Sequence, residues 1–145
     1  SIIQRTMCVS NDYLVFVPDI VYKIGLPGES AYNSIMPGVT HLISKGFVDE
    51  KNIGIQGQSW GGYQTAYIIT RTNLFKAAGA GAAVVNMTSA YGGIRWGSGL
   101  SRMFQYEQSQ SRIGGTLWER PLYYLENSPL FTADKIQTPV LIMQN

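Results

Sequence analysis

Residues 55–68 read IQGQSWGGYQTAYI. Within them Gly57-Gln58-Ser59-Trp60-Gly61 matches the pattern G-x-S-x-G. A short apolar run precedes it and a run with helical character follows. No other stretch restricts the fold as strongly. In this setting the pattern predicts a serine held on a tight strand-to-helix turn, in a strained backbone conformation. Side chains two residues to either side are expected to collide with the adjoining strand and helix, so glycine is needed at 57 and 61. The turn lifts the Ser59 hydroxyl clear of the sheet. It also aims the Trp60 backbone N–H at a developing oxyanion, beside a helix N-terminus. The bare pattern is weak in a chain with 16 glycines. The strand before it and the helix after it give it weight. The alternative is a glycine-rich turn that carries an ordinary serine.

The rest of the chain supplies a frame for such a turn. YLVFVP at 13–18 follows an Asn11-Asp12 turn and reads as a buried strand. A loop at 19–29 holds Gly25, Pro27 and Gly28. A helix is predicted over 35–45, because Ile35, Val39, Leu42 and Ile43 share one face. Pro37 fits only near its first turn, and Gly46 suits its C-cap. NIGIQG at 52–57 is a second strand, and a helix is predicted from 61 to about 72. KAAGAGAAVV at 76–85 contains a third strand, whose small residues let neighbouring backbones approach. Residues 86–137 lack strand signals and hold glycine-rich turns with three short helices. TPVLIMQ at 138–144 is a fourth strand. Apolar strands alternate with helices at a spacing that implies an α/β fold, a mostly parallel sheet of about four strands covered by helices on both faces. In such sheets, sites form at the carboxyl ends of the strands.

Composition narrows the function classes. Of 145 residues, 45% are hydrophobic and 14% charged, which suits one globular domain rather than a disordered chain. The net charge is +2 with no Lys/Arg cluster, so nothing points to nucleic acid or a membrane surface. The single cysteine, Cys8, allows no internal disulfide and reads as a small buried hydrophobe. No metal-ligand spacing or cofactor motif is present. No targeting segment appears, so the compartment is open, cytoplasmic or periplasmic.

A serine nucleophile needs a base, and the base needs an orienting acid. The sole histidine, His41, points away from the apolar face of its helix and precedes the serine. The α/β-hydrolase order is serine, then acid, then histidine. His41 therefore reads as a solvated helix residue. Asp134 lies ahead of the last strand. A strand of about seven residues spans roughly 23 Å, which puts Asp134 near the wrong rim. It reads as a capping or solvated residue. Asp19 ends the first strand on the correct rim but comes too early, and reads as an acceptor for nearby backbone N–H groups.

GQSWGGYQTAYIITRT resembles the nucleophile region of the prolyl oligopeptidase family of serine peptidases. It is closest to dipeptidyl-peptidase or acylaminoacyl-peptidase-like members. VFVPDIVYKIGLPGESAYNSIMPGV, GFVDEKNIGIQGQSW, NMTSAYGGIRWGSGLSRMFQYEQSQSRIG and SPLFTADKIQTPVLIMQN fit as well, in the same order. The resemblance implies the central part of an α/β-hydrolase peptidase domain over 1–145, normally joined to a β-propeller. It implies Ser59 as the acylated nucleophile and the Trp60 N–H as an oxyanion donor. Gly57, Gly61 and Gly62 would form the elbow. Residues 86–91, Asn86 and Met87 among them, would line the pocket for the residue before the scissile bond, with Tyr91 and Trp96 as its aromatic members. Ordinary packing is the other reading of those aromatics.

In the family the catalytic Asp and His follow the last strand, beyond Asn145. The expectation is a fragment inactive alone, with a peptide substrate in the parent protein. Uncovered faces or strand edges would drive self-association. Two other readings remain open. One is a carboxylesterase or lipase on the same fold. The other is a non-catalytic hydrolase-like interaction module.

Overall fold

A computed structural model of the chain describes residues 4–144. In chain order it contains α1 (Arg5–Val9), α2 (Pro27–Ser44), β1 (Gly54–Gln58), α3 (Trp60–Ile69) and β2 (Ala77–Gly81). Then come α4 (Met87–Tyr91), β3 (Ile94–Arg95), β4 (Leu100–Ser101), α5 (Met103–Glu107), α6 (Pro121–Glu126) and β5 (Val140–Met143). Short 3-10 turns occupy Glu50–Asn52 and Pro129–Lys135.

The main sheet is parallel throughout, in the order β1-β2-β5. Gly54 pairs with Ala77, and Ala78 with Val140. Period-2 alternation puts Ile55, Ala78 and Ala80 on the face that receives α3. Ile68 and Ile69 of α3, with Phe75 and Ala78, form the core there. Helix α2 packs on α3 and adds Tyr32, Ile35 and Met36 to this cluster. The α/β class read from the sequence holds, with helices arranged around a parallel sheet.

The strand expected at 13–18 does not form, so the sheet has three strands rather than about four. Val15, Phe16 and Val17 remain exposed. The segment runs beside α2 instead of entering a ladder. The Phe16 ring sits against Gly38, where an added Cβ would come within 2.6 Å of it. The Val21 and Lys23 N–H groups donate to the hydroxyls of Ser34 and Ser30. β-propensity set the local expectation, but a strand needs a neighbouring edge, and none is offered to it among the described residues.

Helix α2 also begins earlier than the apolar periodicity implied. Pro27 takes the first helical position, where its missing N–H costs nothing. Gly28 follows because the Tyr67 ring fills the space a side chain would need. Pro37 therefore lies deep inside the helix, not near its first turn. It removes one backbone donor, a defect of about 3 kcal/mol in an isolated helix, and the packing against α3 outweighs it. Gly46 ends the run at φ +80°, as expected of a helix-terminating glycine.

Residues beyond β2 build an excursion over the N-terminal end of α3. Its three short helices match expectation. The antiparallel β3–β4 hairpin does not, since two-residue strands leave no periodic trace. A second core joins the excursion to α3: Tyr63, Tyr67, Met87, Tyr91, Tyr106, Ile113 and Tyr124. No described helix is long and apolar enough to cross a membrane.

Candidate active site

Ser59 lies between the end of β1 and the first residue of α3. Its φ of +58° and ψ of −115° are a strained conformation for a residue with a side chain. Backbone bonds hold it there. Its N–H donates to the Gly81 carbonyl at 2.8 Å, and its carbonyl accepts from Tyr63 N–H at 3.0 Å. Serine at a helix N-cap ordinarily turns its hydroxyl onto the backbone. Ser59 does not, and its side chain is exposed.

The glycines around Ser59 divide unequally. A Cβ on Gly57 would overlap the Gly61 carbonyl. A Cβ on Gly62 would meet the Gly81 carbonyl oxygen at 2.5 Å and Ala83 at 3.2 Å, so Gly62 sets how closely α3 approaches β2. Gly61 corrects the sequence reading: a Cβ there meets nothing within 4 Å. Its backbone, not its missing side chain, closes the turn on Gly57.

Trp60 opens α3, so its backbone N–H is one of the free first-turn donors. No backbone acceptor among the described residues takes it. The indole stacks on Tyr63, with centroids 4.3 Å apart, and its Nε1–H donates to the Tyr22 hydroxyl at 2.9 Å. The Gln64 side-chain amide donates to the same hydroxyl at 2.5 Å. Tyr22 thus ties the 13–24 segment to the start of α3. Sequence reading missed it, because a lone tyrosine in a loop carries no periodic signal.

The candidate pocket residues take separate places. Asn86 caps α4, its Oδ1 accepting from Thr88 N–H at 3.1 Å, Thr88 Oγ1 at 2.7 Å and Ser89 N–H at 3.4 Å. Met87 is buried in the aromatic core, and its N–H donates to the Ser128 hydroxyl. Tyr91 is buried there too, edge-on to Tyr124 and Trp118, with its hydroxyl on Glu107. Trp96 stands in the β3–β4 turn with 96% of its surface exposed. Asn86, Met87 and Tyr91 belong to one packed unit, and Trp96 is apart from it.

None of the acids or the histidine weighed as a partner hydrogen-bonds to Ser59. His41 is exposed on α2, as its helical position implied. Asp134 is exposed in the 3-10 turn that feeds the amino end of β5. Asp19 is exposed and, contrary to expectation, accepts no bond from a described backbone N–H. No group of three or more metal-ligating side chains occurs among the described residues.

The geometry can be set beside known proteins. A sequence model of the prolyl oligopeptidase family matches residues 24–145. The chain belongs to this family. The uncharacterized peptidase YuxL of Bacillus subtilis strain 168 is 32% identical over 117 residues, 80% of this chain and 17% of YuxL. A puromycin-hydrolyzing peptidase of Mycobacterium tuberculosis superposes with a TM-score of 0.71 at 26% identity, covering 83% of this chain and 17% of that one. The acylaminoacyl peptidase of Pyrococcus horikoshii gives 0.69 at 25% identity, covering 82% and 18%. This prolyl oligopeptidase family chain thus spans less than a fifth of the length of each.

Proposed function

We propose that Ser59 is the nucleophile of a serine peptidase that forms an acyl-enzyme, of the dipeptidyl- or acylaminoacyl-peptidase kind. One observation carries this reading. Ser59 is held at φ +58° in a capping position, yet its exposed hydroxyl does no capping. A strained residue with an unused polar group has no structural benefit, and such strain gathers where chemistry needs it. Family membership and the acylaminoacyl and puromycin-hydrolyzing neighbours support the substrate class.

The Ser59 hydroxyl oxygen attacks the scissile carbonyl carbon while its proton passes to a base. The carbonyl oxygen becomes an oxyanion within reach of the free Trp60 N–H. Collapse breaks the C–N bond, and the leaving amine takes the proton. Water then hydrolyses the acyl-Ser59 ester and restores the hydroxyl. The described residues hold no base bonded to Ser59, so residues 1–145 alone are expected to be inactive.

The test uses the complete reading frame that contains this segment, with dipeptidyl and acylaminoacyl anilides as reporters. Ser59→Ala should lower kcat about 1,000-fold or more, the scale of losing a nucleophile, and abolish fluorophosphonate labelling. Full turnover in Ser59→Ala overturns the reading.

A further inference from the structure

The Trp60 side chain, one residue after Ser59, is held on two sides. Tyr63 stacks on the face of the indole, with centroids 4.3 Å apart. The Tyr22 hydroxyl accepts the indole Nε1–H at its edge, at 2.9 Å. The same hydroxyl accepts the Gln64 side-chain amide at 2.5 Å. Trp60 and Gln64 are four residues apart in α3, so they stand one above the other on one side of the helix. A single oxygen from outside the helix therefore spans its first turn.

Tyr22 is itself braced, although residues 13–23 form neither helix nor strand. The backbone on both sides of it is anchored to α2: Val21 N–H donates to the Ser34 hydroxyl at 3.1 Å, and Lys23 N–H to the Ser30 hydroxyl at 2.9 Å. Its ring lies 4.5 Å from the Arg112 guanidinium. The Arg112 carbonyl accepts the Gly25 N–H at 2.8 Å, which ties the chain just beyond Tyr22 to the same residue.

Helices fray from their ends, and Ser59 gives α3 a reason to do so. Its φ of +58° and ψ of −115° are strained. Rotation of the peptide between Ser59 and Trp60 relieves that strain and swings the Trp60 N–H away from its place. Inside the helix, the bond from Tyr63 N–H to the Ser59 carbonyl resists this rotation. From outside, the clamp on Trp60 and Gln64 resists it, because an indole fixed on its face and its edge leaves the Trp60 Cα little freedom to turn.

We propose that Tyr22 is a positioning residue for the reaction at Ser59: its hydroxyl clamps the first turn of α3 through Trp60 and Gln64, and so keeps the Trp60 N–H aimed at the oxyanion. This rests on Ser59 being the nucleophile. Tyr22 acts through Trp60 and not on the reacting atoms. A donor fixed before the reaction needs no rearrangement in the transition state, so the clamp raises kcat rather than ground-state affinity.

The experiment measures kcat and KM of the complete reading frame on an acylaminoacyl anilide. Active sites are counted by fluorophosphonate labelling, so that only folded sites enter kcat. Tyr22→Phe keeps the ring and removes the acceptor. It should lower kcat about tenfold or more, within the range of a misplaced catalytic group, with KM changed less than about twofold. Trp60→Phe keeps an aromatic ring and removes the donor, and should do the same. The double variant should lose no more than either single one, since both break one contact. A kcat within about twofold of wild type in Tyr22→Phe overturns the inference, even if the variant unfolds at lower urea. So does a loss confined to KM, or a double variant in which the two losses multiply. Where Tyr22→Phe yields no labelled protein, Trp60→Phe decides by the same criteria. Ser59→Ala separates the two readings. If it abolishes turnover while Tyr22→Phe keeps full kcat, the nucleophile stands and the clamp falls. If Ser59→Ala turns over fully, both fall.

Discussion

Gly57 and Gly61 close the turn beneath Ser59 by backbone contact, but only Gly57 needs to lack a side chain. A Cβ on Gly57 runs into the Gly61 carbonyl, which is backbone and cannot swing aside. Gly57→Ala should therefore cost about 3 kcal/mol or more, the range of severe steric substitutions. Gly61→Ala should be neutral or stabilise by up to about 1 kcal/mol, because its Cβ enters open space on a helix. Urea unfolding of the two variants checks this. Equal losses at both positions would show that the elbow tolerates neither.

The elbow was legible because it is a local device. Gly57, Ser59 and Trp60 are three residues apart at most, and their geometry depends on one strand ending where one helix begins. β1, β2 and β5 were legible for the same reason, as short apolar or small-residue runs. Residues 13–18 misled because a strand is a property of two chains: VFV has the propensity, but no edge reaches it. Gly61 misled because the pattern records a glycine and not the contact that requires it. Tyr22 was invisible for a different reason. It lies 38 residues from Trp60 in sequence and meets that indole beside the aromatic packing of the excursion, which leaves no spacing to read.

That packing sets the response to alkali. Burial pushes the phenols of Tyr63, Tyr106 and Tyr124 above the ordinary tyrosine value of about 10. A raised folded-state pKa means the unfolded chain loses these protons first. The stabilisation is complete below about pH 10 and is lost as pH rises through the folded-state values. Absorbance at the tyrosinate band and far-ultraviolet circular dichroism, followed together, test it. These three rings should ionise only as the fold is lost. Early, reversible ionisation of every tyrosine with the helices intact would contradict the burial.

Strand β5 leaves Leu141, Ile142 and Met143 exposed by 64%, 65% and 56%. It is an edge strand, and among the described residues nothing pairs with its outer side. Open backbone groups beside apolar side chains invite pairing with another chain. We expect a polypeptide of residues 1–145 to self-associate through this edge. Light scattering should give a mass above that of a monomer, and Ile142→Lys should lower it. A monomer at high concentration would argue that the edge is harmless.

Asn127 joins parts of the chain that lie about a hundred residues apart. Its side chain is 2% exposed. Its Nδ2 donates to the Gly25 and Tyr123 carbonyls, each at 2.9 Å, and its Oδ1 accepts from the Gly28 N–H at 3.1 Å. The start of α2 and the end of α6 are thereby fixed to one another, and with them the Gly25 N–H that pins Arg112. Asn127→Ala leaves the Gly25 carbonyl and the Gly28 N–H without partners, while the Tyr123 carbonyl keeps the Asn127 backbone N–H, and should cost about 3 kcal/mol. Asn127→Asp should be worse near neutral pH, since a carboxylate then faces two carbonyl oxygens with no proton to offer. It should recover partly in acid, where the protonated group can donate one bond. Urea unfolding of both variants across pH separates these effects. A loss below about 0.5 kcal/mol for Asn127→Ala, within the range of ordinary surface changes, would show that water replaces the side chain and that the contact does not order the fold.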